Sequence, residues 1–265
     1  MSAEGALRCE FLGMMFDRWS AAAVRARVAD LAEGHAFTYV VTPNVDHIVQ
    51  LHRSDDPTHI GSYERATLCV CDSRILQRLA SWSGLDLPLV RGSDLTRDLL
   101  AGVLQSGKIA VVGGDAQFHH DIALRYPRFE WQFHQPPMGV RRNAQARTAI
   151  AEFVEASGAD VIFFVIGAPQ SELVCSEILE RGRARGVALC VGASLAFLTG
   201  ARRRAPLWMQ RASLEWLFRL LSEPRRLWRR YLVDGPEIFV IWRRWKRTKA
   251  ARLSAASGSS LSGYE

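Results

Sequence analysis

Ala159-Asp160-Val161-Ile162-Phe163-Phe164-Val165-Ile166-Gly167 is the stretch on which the fold turns. Residues 161–166 are apolar without a break, and they run into the turn Gly167-Ala168-Pro169-Gln170-Ser171-Glu172 and a segment of helical period over 173–185. An unbroken apolar run of strand length reads as a strand covered on both faces, the pattern of a parallel sheet. Working outward, β-rich apolar runs at 37–41, 67–71, 108–112 and 187–191 alternate with helical segments at 45–53, 74–82, 95–104, 117–125 and 144–155. This alternation predicts an α/β fold: a parallel, Rossmann-like sheet with helices on both faces.

Beyond Gly200 the pattern changes. Residues 1–199 carry 19 Lys and Arg against 22 Asp and Glu, whereas residues 200–265 carry 15 against 5. Five of the eight tryptophans (Trp208, Trp216, Trp228, Trp242, Trp245) lie in that basic third. The segment 213–245 reads as short helices broken at Pro224 and at Gly235-Pro236. We therefore expect an α/β domain over 1–200, a helical, basic and aromatic C-terminal appendage over 201–250, and a small, Ser/Gly-rich flexible tail over 251–265. Rings interleaved with guanidinium groups suit an anionic lipid surface, where each basic residue adds about 1 kcal/mol. Nucleic acid is the competing partner for such a composition. The absence of any nucleic-acid motif in the body places the membrane surface first.

Several classes are excluded. The longest apolar run, 161–166, is far below the roughly 18–20 residues that span a bilayer. Glu4 and Glu10, with no long apolar region beside them, argue against a signal peptide. The cysteines Cys9, Cys69, Cys71, Cys175 and Cys190 show no CxxC spacing and sit mostly in apolar runs, which suggests buried, reduced thiols in the cytoplasm. His119-His120 and the loop from His134 to Pro137 lack ligand spacing and read as surface or rim, so no metal site is expected.

Ligands of such sheets bind outside the carboxyl ends of the strands. The first strand ends in Thr42-Pro43-Asn44, which fits both a plain helix cap and a sugar- or phosphate-binding turn. Asp72 follows the second strand, as an N-cap or as a carboxylate placed to take a proton from a hydroxyl. Val112-Gly113-Gly114, Ile166-Gly167 and Val191-Gly192 are glycine turns at three further strand ends, each either an ordinary connection or a backbone approach to a diphosphate. There is no GxGxxG, no Walker A sequence and no D-x-D triplet.

From Thr42 to about Tyr231 the chain resembles the WecG/TagA/CpsF glycosyltransferases. Thr42-Pro43-Asn44 is similar to that family's T-x-N turn, and Cys71-Asp72-Ser73 falls at its A-D-G. Arg91-Gly92-Ser93-Asp94-Leu95 resembles its R-x-x-G-x-D-L with one residue fewer, and Gly167-Ala168-Pro169 with Glu172 its G-x-P-K-Q-E. The most specific matches are Arg204-Ala205-Pro206-Leu207-Trp208, the run Leu214-Glu215-Trp216-Leu217-Phe218-Arg219-Leu220, Glu223-Pro224-Arg225-Arg226, and Arg230-Tyr231.

The resemblance implies inverting, metal-independent transfer of a hexose of N-acetylmannosamine, uronate or glucose type. The donor is a UDP-sugar and the acceptor a polyprenyl-diphosphate-linked saccharide, at the cytoplasmic face of the membrane, in surface polysaccharide synthesis. It implies Asp72 as the general base, with Thr42 and Asn44 beside it and Arg219, Arg226 and Arg230 reaching the diphosphate. Gly113, Gly114, Gly167, Pro169, Glu172 and Gly192 complete the expected donor and acceptor contacts. No cofactor is expected, and homo-oligomerisation stays open. Gln170-Ser171 replaces the family's K-Q, Ala196 stands where relatives carry an acid, and Ser73 replaces the glycine after the Asp. These departures keep a second expectation in view, a catalytically degenerate relative that scaffolds polysaccharide assembly.

Overall fold

The structure, a computed structural model, describes residues 8–200 and 204–259. The chain begins with a hairpin, β1 (Arg8–Phe11) and β2 (Met14–Asp17), then α1 (Ala21–Ala32), β3 (Thr38–Val41), α2 (Val45–His52) and α3 (Pro57–Glu64). β4 (Leu68–Cys69), α4 (Arg74–Ser81) and α5 (Gly92–Asp98) follow, with a π-helical turn over Leu99–Val103. The remaining sheet units are β5 (Lys108–Val112), α6 (Ala116–Arg125), β6 (Glu130–His134), α7 (Ala144–Ser157), β7 (Val161–Phe164), α8 (Gln170–Arg181) and β8 (Val187–Cys190). Six strands form one sheet in the order β4-β3-β8-β7-β5-β6, every pair parallel.

Alternate residues of each strand enter different cores, as the twofold period of a strand requires. Tyr39, Val41, Ile162, Phe164 and Ala188 face one core with Ile48, Val49, Leu76, Ile150, Val174 and Ile178 from α2, α4, α7 and α8. Val40, Val161, Phe163, Val187 and Leu189 face the other with Val24 and Val28 of α1, Leu95 of α5 and Ile122 of α6. Four of the five free cysteines are buried.

The hairpin, α1, α3 and β6 are elements that the sequence reading does not foresee. β6 is the edge strand, Glu-Trp-Gln-Phe-His, exposed at its first residue and only part-buried after it, so it lacks the apolar run that marks its neighbours. Of the expected surface or rim histidines, His120 is exposed, and His119 and His134 are part-buried at the edge strand and pack against rings. His119 stacks on Phe133 with centroids 4.3 Å apart, and His134 stacks on Phe153 at 5.2 Å.

The basic region folds as α9 (Leu207–Arg211), α10 (Glu215–Ser222), α11 (Pro224–Trp228), a π-helical turn over Arg229–Asp234, and α12 (Glu237–Ser259). The breaks fall at Pro224 and Gly235-Pro236. α12 continues through residues 251–259, where composition suggests a loose tail; residues 260–265 of that expected tail lie outside the described residues. Ile238 and Ile241 of α12 are buried in the core that holds α2. Trp242 donates to Ser83 at 2.8 Å, Trp245 packs edge-on against Phe11 at 5.1 Å, and Arg53 bridges Asp234 and Glu237. Arg204 Nη1 reaches Asp94 Oδ1 at 2.7 Å, tying the start of the appendage to α5.

Because Phe164 fills a fully buried position of β7, Phe164→Ala removes packing that nothing nearby can replace. A loss of about 3–5 kcal/mol is expected, read from the midpoint of urea unfolding.

Candidate active site

The carboxyl ends of β4, β3, β8 and β7 form the floor of a cleft of about 730 Å³, and the appendage roofs it with residues of α9 to α12. Thr42, Asn44, Asp72, Gly167, Glu172, Gly192, Arg219, Arg226 and Arg230 all line it. Pro169 does not, and neither do Gly113 and Gly114. The two glycines end β5, one strand beyond the floor, and their need for glycine comes from packing. Each has positive φ, and a Cβ would stand 2.8 Å from Ile166 at Gly113 and 2.3 Å from Phe118 at Gly114.

Asp72 is set by backbone bonds on both sides. Its N–H donates to Pro43 O at 3.0 Å, and Val90 N–H donates to Cys71 O at 2.8 Å, which brings the segment carrying Arg91 and Gly92 alongside. The N-cap of α4 is Ser73, whose hydroxyl accepts from Leu76 N–H at 3.3 Å, so the Asp72 carboxylate has no capping duty. Part-buried at the floor, that carboxyl is pushed up to about 7 by loss of water; Glu215 adds to the rise, and the Gly92 N–H, Arg91 and Arg219 oppose it. Glu215 and Arg219 are four residues apart on α10 and act on the same carboxyl through space from the roof.

Thr42 donates to Cys190 O at 3.1 Å and Ser194 to Val191 O at 2.7 Å, which fixes two hydroxyls over the end of β8. Gly92 lies between them and Asp72. A Cβ there would stand 3.2 Å from Thr42 Oγ1, 3.3 Å from Ser194 Oγ and 3.5 Å from Asp72 Oδ2, so only glycine leaves this corner open.

Asn44 serves both readings of its turn. Its Oδ1 caps α2 by accepting from Asp46 N–H at 3.0 Å, and it also accepts from Arg230 Nη2 at 3.4 Å. Arg230 further pairs with Asp46 at 3.4 Å. His47 Nδ1 accepts from Asn44 N–H at 3.2 Å. Burial, then Arg230 and His59, hold that imidazole down at about 3, so it is neutral with its proton on Nε2, 3.7 Å from Glu172 Oε1. Burial pushes the Glu172 carboxyl up to about 7, and its Oε2 has no hydrogen-bond partner among the described residues.

A cleft with two carboxyls raised toward neutrality, fixed hydroxyls and an arginine roof fits transfer between hydroxyl-bearing substrates with an anionic leaving group. The model of the glycosyl transferase WecG/TagA/CpsF family matches residues 9–252. The chain belongs to the WecG/TagA/CpsF glycosyltransferase family. Membership makes it a glycosyltransferase of cell-surface polysaccharide synthesis, acting with a sugar-nucleotide donor and a glycan acceptor. Two of the motifs that carry the sequence resemblance meet in space, since Arg204 of R-A-P-x-W holds Asp94 of the R-x-x-G-x-D-L segment.

The sequence reading does not single out Arg74, Gly92, Ser194, Glu215 or His47 as site residues. Gly92 and Glu215 lie within quoted motifs, and His47 has the spacing of a capping partner three residues after Asn44. Arg74 and Ser194 carry no signal beyond their neighbours. Of the departures, Ser171 lines the cleft and satisfies its hydroxyl on Gly167 O at 2.9 Å, whereas Ala196 lies outside the lining.

Two outcomes follow. Gly92→Ala is expected to fold normally and lose most sugar transfer, measured with thermal unfolding alongside. The raised carboxyls also set a sign for stability. Between the unfolded carboxylate range near 4 and the folded value of about 7, the native state holds protons that the unfolded chain has released. Asp72 therefore adds stability at low pH and loses it as pH rises through about 7. Asp72→Asn should raise Tm at pH 8 and show little gain at pH 4.

Proposed function

We propose that the chain is an inverting hexosyltransferase that moves a sugar from a UDP-sugar to a polyprenyl-diphosphate-linked saccharide at the inner face of the cytoplasmic membrane, with Asp72 as general base. The observation that carries this reading is the Asp72 carboxyl at the cleft floor, raised to about 7 with the Gly92 N–H, Arg91 and Arg219 facing it. A base poised near neutrality takes the proton of the acceptor hydroxyl as its oxygen attacks the anomeric carbon. The new C–O glycosidic bond forms opposite the breaking bond to the UDP phosphate oxygen. The bonding electrons leave on the diphosphate and the proton ends on Asp72.

Charge on the departing diphosphate is met by side chains. Arg219, Arg226 and Arg230 all enter the cleft from the roof, and guanidinium groups suit bidentate phosphate contacts. This supports a reaction that needs no metal. A lipid-borne acceptor is supported by the cleft's mouth, where exposed Leu232 and Phe239 belong to the lining. Trp208, Leu221, Trp228, Val233 and Val240 extend the exposed apolar surface, with exposed Arg225, Arg229, Arg243, Arg244 and Arg247 around it. None of the helices is long and apolar enough to cross a membrane among the described residues, so this surface lies on the bilayer in our reading.

Release of UDP from a panel of UDP-hexoses tests the reaction, with a polyprenyl-diphosphate-linked acceptor and EDTA present. Acceptor-dependent turnover is expected, falling about 10²–10⁴-fold in Asp72→Asn. Turnover that survives the substitution, or that EDTA abolishes, contradicts the mechanism. No turnover with any donor by folded protein favours the scaffold. Leu232→Asp with Val240→Asp should weaken binding to anionic vesicles while leaving UDP binding intact, measured by co-sedimentation.

A further inference from the structure

The cleft contains a cation that this reaction leaves without a task. Arg74 opens α4 and lines the cleft at the end of β4, the edge strand, two residues beyond the general base. It is part-buried, and its Nε has no hydrogen-bond partner among the described residues. Among the described residues it forms no ion pair, nor does Arg219, which is already assigned to the leaving diphosphate, whereas Arg91 has Asp94 at 3.5 Å, Arg226 has Glu223 at 2.5 Å and Arg230 has Asp46 at 3.4 Å.

The charges around Arg74 aggravate this imbalance. Burial, then Arg91 and Arg78, pull its pKa below the ordinary arginine value, and Glu215 is the acid that opposes them. Glu215 stands 3.9 Å from Arg91 Nε and also faces Asp72, so it is shared. Holding a partly desolvated guanidinium beside two like charges is costly unless an anion joins them. The N-terminus of α4 adds partial positive charge at the same point.

This cluster and the roof arginine that meets the α2 turn stand at the ends of neighbouring strands. Arg230 contacts Asn44 and Asp46 at the end of β3, while Arg74 stands at the end of β4. A reaction between a nucleotide sugar and a lipid-diphosphate sugar brings in more anionic groups than the leaving diphosphate alone. We propose that Arg74 forms a second anion subsite, at the β4 end of the cleft, for an acidic group carried by the saccharide substrates and distinct from the UDP diphosphate. Resting on the transferase reading above, it deepens that reading by naming a charge the substrate must bear. Two groups share the required chemistry: a carboxylate on the transferred hexose and the diphosphate of the acceptor.

Equilibrium binding to the full chain separates them, using UDP, UDP-glucose, UDP-glucuronate and farnesyl diphosphate as probes for wild type, Arg74→Gln and Arg74→Lys. If the anion is the sugar carboxylate, wild type prefers UDP-glucuronate to UDP-glucose by about ten-fold or more and Arg74→Gln erases the preference. If it is the acceptor diphosphate, Arg74→Gln weakens farnesyl diphosphate by a similar factor. In either case Arg74→Lys restores part of the loss, and UDP and UDP-glucose bind as before. Four unchanged affinities in the folded Arg74→Gln protein would overturn the subsite, as would an equal loss for UDP itself. Wild type that binds no uridine nucleotide would sink the transferase reading instead. Farnesyl diphosphate alone then decides Arg74, with an Arg74-dependent affinity supporting the subsite and any other result rejecting it.

Discussion

Everything in the cleft depends on keeping water away from one carboxylate. Asp72 follows β4, the edge strand beside the buried β3, and helix α10 of the appendage brings Glu215 and Arg219 over it. Without that roof the carboxyl would face solvent and lie in the ordinary carboxylate range, a poor match to a hydroxyl's proton at neutral pH. The appendage is thus part of the catalytic device through electrostatics as well as through the arginines it brings. Its anchoring explains the number of contacts devoted to it: Arg204 on Asp94, Arg53 on Asp234 and Glu237, Trp242 on Ser83, and Ile238 and Ile241 in the core.

The same arrangement has a cost in stability. Asp72 and Glu172 are both pushed to about 7 by burial, and Glu172 keeps an unpartnered oxygen beside neutral His47. Burying carboxyls without full hydrogen bonding is unfavourable and recurs at functional sites. Glu172, His47, Asn44 and Arg230 form a chain of polar contacts from α8 through the α2 turn to the appendage. One end of that chain is core and the other is roof.

The parallel sheet is legible in sequence because its central strands are buried on both faces, so Ile109 to Val112 and Val161 to Phe164 read as plain apolar runs. Glu130 to His134 is invisible by the same rule, since an edge strand needs no such run. The α1 helix carries Val24, Val28 and Ala32 at helical spacing, a short stripe that alanines and charges on either side make faint. At the site, Thr42, Asn44 and Asp72 stand after strands, where the cap and the ligand-binding readings are both open, and the family resemblance is what singles them out. Gly113 and Gly114 show the limit of that rule. A glycine turn after a strand looks the same whether or not its strand underlies the cleft, and strand order is not written in local sequence. Gly92 is needed because Thr42, Ser194 and Asp72 converge on it from three segments, a fact of tertiary structure.

The account stands most directly on the titration of Asp72 in the working enzyme, read from the pH dependence of kcat/KM for sugar transfer. It predicts a single-proton acid limb with a midpoint at about 7, activity rising as the carboxyl ionises. A profile flat from pH 5 to 8, or a limb near 4, would mean that Asp72 is not the raised, partly desolvated base on which the mechanism rests.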